Sequence, residues 1–172
     1  MPADRNPPEA SGNSSADIFL SVQTKRAGKL KGESHAADHK DEIVVHGWNW
    51  GVSSPSALGS SQATGRRSYK HLVVTKRIDT ATTALMSVLA TNDEVKEAKL
   101  SMRKAGEGQR AFFTITLSEA RITSFDIECG ENGDAVERVS FAFNKVQVDY
   151  ERQQATGQRG GGTSFQDEIL PT

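Results

Sequence analysis

The amino-acid sequence predicts a mainly β domain with a single α-helix, arranged as a barrel or a closed sandwich. Three observations predict this class. Short runs in which apolar and polar residues alternate recur along the chain, roughly seven to nine of them. Turn signals separate these runs, and Asn132-Gly133 is the strongest because both residues tolerate positive φ. Only one segment, at about residues 80–91, shows helical spacing of its apolar side chains.

Both tryptophans of the chain lie in one predicted strand, residues 43–50. Alternate residues of a strand share a face, so one face of this strand carries Val44, His46, Trp48 and Trp50. The opposite face is also rich in apolar residues. A strand with apolar groups on both faces needs a covering layer or a neighbouring subunit. We therefore expect these four residues to form a core or interface face.

A long connection follows the tryptophan strand. Residues 51–69 consist mainly of Ser, Gly, Ala, Thr and Arg, with few bulky apolar side chains. Connections of this length are usually functional or disordered. Residues 71–78 then resume the strand pattern.

The predicted helix comes next. Asp79 or Thr80 can cap it, because short polar side chains accept hydrogen bonds from the first free amides of a helix. Its apolar stripe is expected to be Leu85, Met86 and Leu89.

The apolar positions of the last long strand change phase. The apolar residues from 139 to 143 have odd numbers, whereas those from 146 to 150 have even numbers. A bulge near Asn144-Lys145, or a strand that passes from one sheet to another, would explain the change.

The chain is predicted to contain one domain with two extensions. Residues 1–16 are Pro-, Ser- and Asn-rich and are expected to form a disordered arm. Residues 17–152 carry the β pattern, and residues 153–172 are expected to form a flexible Gly-rich tail.

Composition excludes several classes of function. Lys plus Arg total 21 and Asp plus Glu total 22, so no overall charge directs the chain to nucleic acid or to a membrane. One cysteine excludes an internal disulfide. The sequence contains neither a secretory signal pattern nor an apolar run long enough for a membrane helix. We expect assembly in the cytoplasm, and any export to occur without a cleaved signal peptide.

Few residues indicate catalytic or cofactor chemistry. His35 and His39 have a metal-ligand spacing, but they lie in a polar loop and no second ligand pair appears, so no metal or cofactor is predicted. Cys129 could serve as a nucleophile, but no helix N-terminus lowers its pKa, and a structural thiol is the simpler interpretation. Asp126 and Glu128 share a strand face, as a hydrolase pair could, although such carboxylates usually form a solvated face.

The basic residues around the long connection need separate consideration. Arg66, Arg67, Lys70, Lys76 and Arg77 lie close in sequence. Without interleaved aromatic residues beyond a single tyrosine, this patch does not favour a nucleic-acid site. Ion pairs between subunits would use the same charges.

Four blocks of sequence carry a resemblance to a known family. They are Glu42–Gly51 with its Trp-Asn-Trp-Gly ending, Val74–Asp79, Ala98–Gly106 and Phe143–Tyr150. In order and spacing they resemble the Hcp tube protein of bacterial type VI secretion systems. The resemblance covers about residues 17–152.

The resemblance implies a ring-forming, two-sheet β-barrel with a helix at one side. It implies a structural subunit, not an enzyme, whose hexameric rings stack into a tube. A contractile sheath would expel this tube behind a VgrG-like spike, with effector proteins in the lumen. It also implies that the long connection reaches neighbouring subunits or rings, through Val52, Pro55, Leu58, Arg66, Arg67 and Tyr69.

Two alternatives remain open at this point. A tail-tube protein of a contractile phage-like particle would share the fold. The alternative of another class is a small hydrolase that uses Cys129 or the pair Asp126 and Glu128.

Overall fold

The structure is a computed structural model that describes residues 16–55, 67–106, 110–153 and 159–169. The predicted amino-terminal arm lies outside these ranges, except for its last residue. The β-strands are β1 Ala16–Thr24, β2 Gly28–Lys29, β3 Ile43–Val45, β4 Gly47–Asn49, β5 Val52–Ser53, β6 Ser68–Tyr69, β7 Leu72–Lys76, β8 Val95–Lys104, β9 Ala111–Cys129, β10 Ala135–Gln153 and β11 Arg159–Glu168. Helix α1 spans Ala81–Ala90, and a short 3₁₀ helix spans Ala37–His39.

Nine strands form one antiparallel sheet, in the order β2-β1-β8-β9-β10-β7-β4. Strand β3 also pairs with β1, and β11 also pairs with β10, whereas β5 and β6 form a separate two-stranded ribbon. The mainly β class with one helix is confirmed. Apart from the ribbon, the described strands form one hydrogen-bonded sheet, because β10 is long enough to pair with β7 along its first half and with β11 along its second.

The predicted tryptophan strand is two strands separated by a bend at His46. Strand β3 pairs with β1, whereas β4 pairs with β7. The amide of His46 donates to the carbonyl of Thr75 at 2.8 Å, which starts the second pairing. At His46 the chain therefore passes from a strand paired with β1 to a strand paired with β7, and these two partners lie near opposite ends of the strand order.

The bend changes which face of the strand is buried. Ile43 and Val45 are buried, whereas Val44 is 39% exposed and His46 is exposed. Of the expected core or interface face, Val44 and His46 therefore do not lie in the core of the subunit, and their place in an interface stays a prediction. The reason is that β3 turns its odd-numbered side chains to the core where it pairs with β1.

The helix and the core agree with the predicted pattern in part. Helix α1 buries Leu85 and Val88, but Met86 is 43% exposed instead of lying in the predicted stripe. Asp79 caps the helix, since its Oδ1 accepts from the amide of Ala81 at 2.9 Å. The helix and the inner side chains of the sheet form one apolar core, which includes Leu20, Val22, Leu72, Val74, Leu100, Ile115, Leu117, Val139 and Phe141.

The long hairpin of β9 and β10 contains the predicted turn and the predicted phase change. Gly133 in its turn has φ of 82°, which a glycine adopts without strain. Asn144 and Lys145 are both exposed where the buried positions change parity, and Glu119 on the facing strand has φ of 49°. The pairing register shifts separately between Ser140 and Phe141.

The carboxyl-terminal segment differs from the prediction. Residues 153–172 were expected to form a flexible tail, but β11 pairs with β10 from Lys145↔Glu168 to Gln153↔Arg159. Its three glycines do not prevent pairing, because backbone groups alone form the ladder with an already ordered strand.

Candidate assembly surface

Both tryptophans lie at the border between the core and the long connection. Trp48 stacks on Phe113 with ring centroids 5.9 Å apart. Trp50 lies between Tyr69, at 5.7 Å, and Phe143, at 6.1 Å. Both tryptophans are half-buried and pack against the core cluster. They therefore join the connection to the core within the subunit.

The ribbon of β5 and β6 holds the two ends of the long connection together. Val52 pairs with Tyr69, and the amide of Lys70 donates to the carbonyl of Gly51 at 2.9 Å. Val52 is 52% exposed, and Pro55 is exposed. Of the residues predicted for contacts with neighbours, Leu58 and Arg66 lie outside the described ranges.

Arg67 and Tyr69 bind the carboxylate of Asp167 on β11. The Arg67 guanidinium donates to both carboxylate oxygens, at 2.7 Å for Oδ1, and also to the carbonyl of Glu168 at 3.2 Å. The Tyr69 hydroxyl donates to Oδ2 of the same carboxylate. These hydrogen bonds from Arg67 and then Tyr69 lower the pKa of Asp167 to about 2. Burial, and then the hydrogen bond to Asp167, raise the pKa of Tyr69.

Val44 and His46 lie at the surface near the bend. Burial of part of the imidazole, and then the nearby Arg77 charge, lower the pKa of His46 below its ordinary value. Both effects favour the neutral form of the imidazole. The surface near the bend therefore combines the exposed Val44 side chain with His46 and the exposed Arg77 guanidinium.

A second exposed apolar surface lies where β10 and β11 pair. Phe165 is 47% exposed and is the cross-strand partner of Val148. Tyr150, two residues further along β10, is 46% exposed and lies on the same face. Adjacent exposed apolar side chains of this kind commonly mark contact surfaces.

His39 serves a packing role. Its ring stacks on Phe19 at 4.3 Å, and its Nδ1 lies 2.6 Å from Oε2 of Glu42. The Arg103 guanidinium carbon lies 5.0 Å from the centroid of the same Phe19 ring. No group of three or more His, Cys, Asp or Glu side chains that could hold a metal ion occurs among the described residues.

The candidate hydrolase residues lie on the exposed end of the long hairpin. Asp126, Glu128 and Cys129 are exposed, and Cys129 Sγ lies 3.6 Å from the carbonyl oxygen of Gly130. Glu128 Oε2 is 3.9 Å from a guanidinium nitrogen of Arg138. This arrangement places the candidate nucleophile and the carboxylates in water.

A buried ion cluster at Lys76 was not predicted from the sequence. Lys76 and Glu137 are both fully buried and form an ion pair, although Lys76 was expected in a surface basic patch. Lys76 Nζ also lies 2.9 Å from Asp79 Oδ1, and it donates to the carbonyl of Arg77 and to the hydroxyl of Thr82. Glu137 Oε1 has no hydrogen-bond partner within the described part of the chain. Strand parity was a usable signal, because Lys76 is in phase with the buried residues of β7.

Within the described ranges, α1 is too short to cross a bilayer and no other helix qualifies as a membrane span.

Comparison with known proteins identifies the family. The model of the family described as "Type VI secretion system effector, Hcp" matches residues 19–150. The chain belongs to the Hcp family. The match runs from β1 to β10, so it includes the tryptophan residues, the helix and the long hairpin.

Individual Hcp relatives support the assignment. Protein hcp1 of Pseudomonas aeruginosa is 35% identical over 152 residues, which cover 85% of this chain and 90% of the relative. The "Major exported protein" of the same organism is 27% identical over 135 residues, 73% of this chain and 78% of the relative. A solved structure of a type six secretion system protein matches with a TM-score of 0.78 and 24% identity, over 87% of this chain and 92% of that one.

Family membership decides between the classes of function considered above. Hcp proteins are structural tube proteins of the type VI secretion system that are secreted, and they are not enzymes. The hydrolase hypothesis for Cys129, Asp126 and Glu128 is therefore set aside. Hcp proteins form ring oligomers, so the surfaces described above are to be considered as contacts between subunits.

Proposed function

We propose that this chain forms hexameric rings that stack into the inner tube of a type VI secretion system. A contractile sheath expels the tube behind a VgrG-like spike, and effector proteins are carried in the lumen. The observation that carries the proposal is the Hcp family match over residues 19–150.

The open strand edges support a ring. Within the described ranges, β11 pairs only with β10 and β4 pairs only with β7. Unpaired edges of a sheet invite uncontrolled pairing unless another element covers them. A closed ring of identical subunits would cover such edges repeatedly with the same contact.

The exposed apolar side chains support contacts at two places. The first contact uses Val52 on the ribbon and the adjoining long connection. The second uses Val44 on the outer face of β3 and His46 at the bend that follows it. Both places carry an exposed apolar side chain, Val52 in the first and Val44 in the second, and burial of apolar area is the main driving force of association.

Native mass spectrometry combined with negative-stain microscopy tests the ring. We expect a particle of six chains, each of 18.6 kDa, with a central channel. Val52→Glu is expected to reduce the ring population, whereas Met86→Glu, a similarly exposed position on the helix, serves as the matched control. Monomers alone at high micromolar concentration would refute the ring, and equal loss in both variants would refute the role of Val52.

Export tests the rest of the proposal. We expect the chain in the culture medium only when the contractile apparatus of the host is intact. Assembly in the cytoplasm followed by export without a cleaved signal peptide predicts equal intact masses for the cytoplasmic and exported protein. A shorter exported chain would contradict this route, and release independent of the apparatus would favour a phage-like particle.

A further inference from the structure

The ribbon of β5 and β6 is attached to the rest of the subunit mainly by side chains. In the described residues, its two strands pair with each other and with no strand of the nine-stranded sheet. One attachment is the stack of Tyr69 with Trp50 and Phe143, whose rings lie 5.6–5.7 Å from that of Tyr69. The other attachment is Asp167 on β11. Besides its short covalent links to β4 and β7, these two sets of side-chain contacts hold the ends of the long connection in place.

The geometry of the second attachment is specific. Arg67 and Tyr69 are two residues apart, so both side chains can extend to the same side of the extended chain. Both donate to a single carboxylate, which is 19% exposed, and Arg67 does so with two nitrogens. Charge-assisted and bidentate hydrogen bonds of this kind are the strong ones in proteins.

The position of Asp167 depends in turn on β11. Asp167 is the cross-strand partner of Val146, within a ladder that joins β11 to β10 along most of its length. The amide of Ile169, just beyond the strand, donates to the carbonyl of Asn144 at 2.6 Å. The ladder therefore holds the carboxylate at a fixed place relative to the core.

We propose that the carboxyl-terminal strand anchors the long connection. Asp167 holds the ribbon through Arg67 and Tyr69, and so sets the direction in which the connection leaves the subunit. Displacement of β11 releases the ribbon, while the other eight strands of the sheet keep their core. The effect of this release on rings rests on the proposed function, because it assumes that the connection contacts neighbouring subunits.

Hydrogen exchange of the full chain tests the anchor directly. Asp167→Asn removes the charge and keeps the shape of the side chain. We expect exchange of the ribbon amides, reported by Lys70 with its bond to Gly51, to become about tenfold faster, as the loss of charged hydrogen bonds implies. Exchange in the core strands should not change.

Asp149→Asn is the matched control. Asp149 also contacts β11, since it accepts from Ser164 Oγ at 2.8 Å, and it also accepts from Gln147 on its own strand. The substitution makes the same change of charge without touching the ribbon. Ribbon exchange should stay at the wild-type rate. Equal acceleration in both variants, or none in Asp167→Asn, would overturn the anchor.

Tyr69→Phe and ring assembly complete the test. Tyr69→Phe keeps the aromatic stack and removes one hydrogen bond to Asp167, so ribbon exchange should rise by about threefold, less than in Asp167→Asn. Rings of Asp167→Asn should dissociate at a higher protein concentration than wild-type rings. If the wild type forms no rings, the proposed function fails, while the exchange experiment still decides the anchor.

Discussion

The buried ion cluster provides the sharpest prediction for stability. Lys76→Met replaces the fully buried ammonium by an apolar side chain of similar length. Glu137 would then keep no counter-charge, because its Oε2 pairs with Lys76 and its Oε1 has no partner within the described residues. Removal of one member of a buried ion pair costs about 3–5 kcal/mol. We expect the free energy of unfolding to fall by that amount.

The partner substitution should cost less, for a reason visible in the cluster. In Glu137→Gln, Lys76 still has Asp79 at 2.9 Å, the carbonyl of Arg77 at 2.9 Å and the hydroxyl of Thr82 at 3.3 Å. The charge therefore stays compensated. A loss of about 1–2 kcal/mol is expected, typical of weakened hydrogen bonding in a buried site.

The assay is urea unfolding of each variant at one fixed protein concentration, because assembly adds apparent stability. With a slope of about 2 kcal/mol per molar urea, Lys76→Met should lower the midpoint by roughly 2 M. The double variant Lys76→Met with Glu137→Leu should recover most of this loss, since apolar pairs can replace buried ion pairs at little cost. A loss below about 1 kcal/mol in Lys76→Met, or additive losses in the double variant, would refute the reasoning.

Three further predictions concern other parts of the subunit. Gly32→Ala should destabilise the chain by about 1–3 kcal/mol in thermal unfolding, because a Cβ there would lie 2.4 Å from the carbonyl oxygen of Glu42. Gly47→Ala should not destabilise the chain, because nothing lies within 4 Å of a Cβ at that position. Trp50→Ala should cost about 2–3 kcal/mol in urea unfolding, less than a fully buried tryptophan, and a cost near zero would contradict its stacking role. Since the pKa of Asp167 is about 2 when folded and 3.8 ordinarily, its contribution is complete above about pH 5 and is mostly lost as the pH falls to about 2. The unfolding midpoint of the wild type should therefore fall further than that of Asp167→Asn between about pH 5 and pH 2.5, and parallel curves would count against this.

Local sequence patterns predicted the elements that are formed by residues close together in the sequence. The helix at about residues 80–91 appears as Ala81–Ala90, and the hairpin turn lies at Asn132-Gly133 as expected. The phase change at Asn144-Lys145 was also visible, because burial on one face determines which residues can be apolar. In each case the signal and its cause lie within a few residues of each other.

Features that depend on distant partners were not predictable in this way. The apolar pattern of residues 43–50 is continuous, and only the pairing of its halves with β1 and β7 places a bend at His46. Strand β11 has a composition typical of a linker, but β10 supplies an ordered edge for it. The burial of Lys76 requires Glu137, which lies 61 residues away.

The candidate assembly surface was predicted by resemblance more than by pattern. The sequence pattern indicated that the tryptophan strand needs a covering layer or a neighbouring subunit, and the resemblance implied that the long connection reaches neighbours. It did not indicate that Trp48 and Trp50 pack within the subunit, nor that Arg67 and Tyr69 bind the carboxyl-terminal strand. These contacts depend on which side chains meet between elements that are distant in sequence, and the spacing of residues along the chain does not contain that information.

The pairing of β1 with β8 has a consequence for synthesis on the ribosome. Ile18 pairs with Met102 and Ala16 pairs with Lys104. The first strand to leave the ribosome, β1, therefore cannot pair with β8 until the chain has been made as far as residue 104. Until then it can pair with β2 and β3, which follow it closely. The apolar residues of β1 are therefore exposed to solvent or to chaperones while the middle of the chain is made. Sheets held together by such distant pairs fold slowly, and nascent chains of this protein should be most prone to aggregation before β8 emerges.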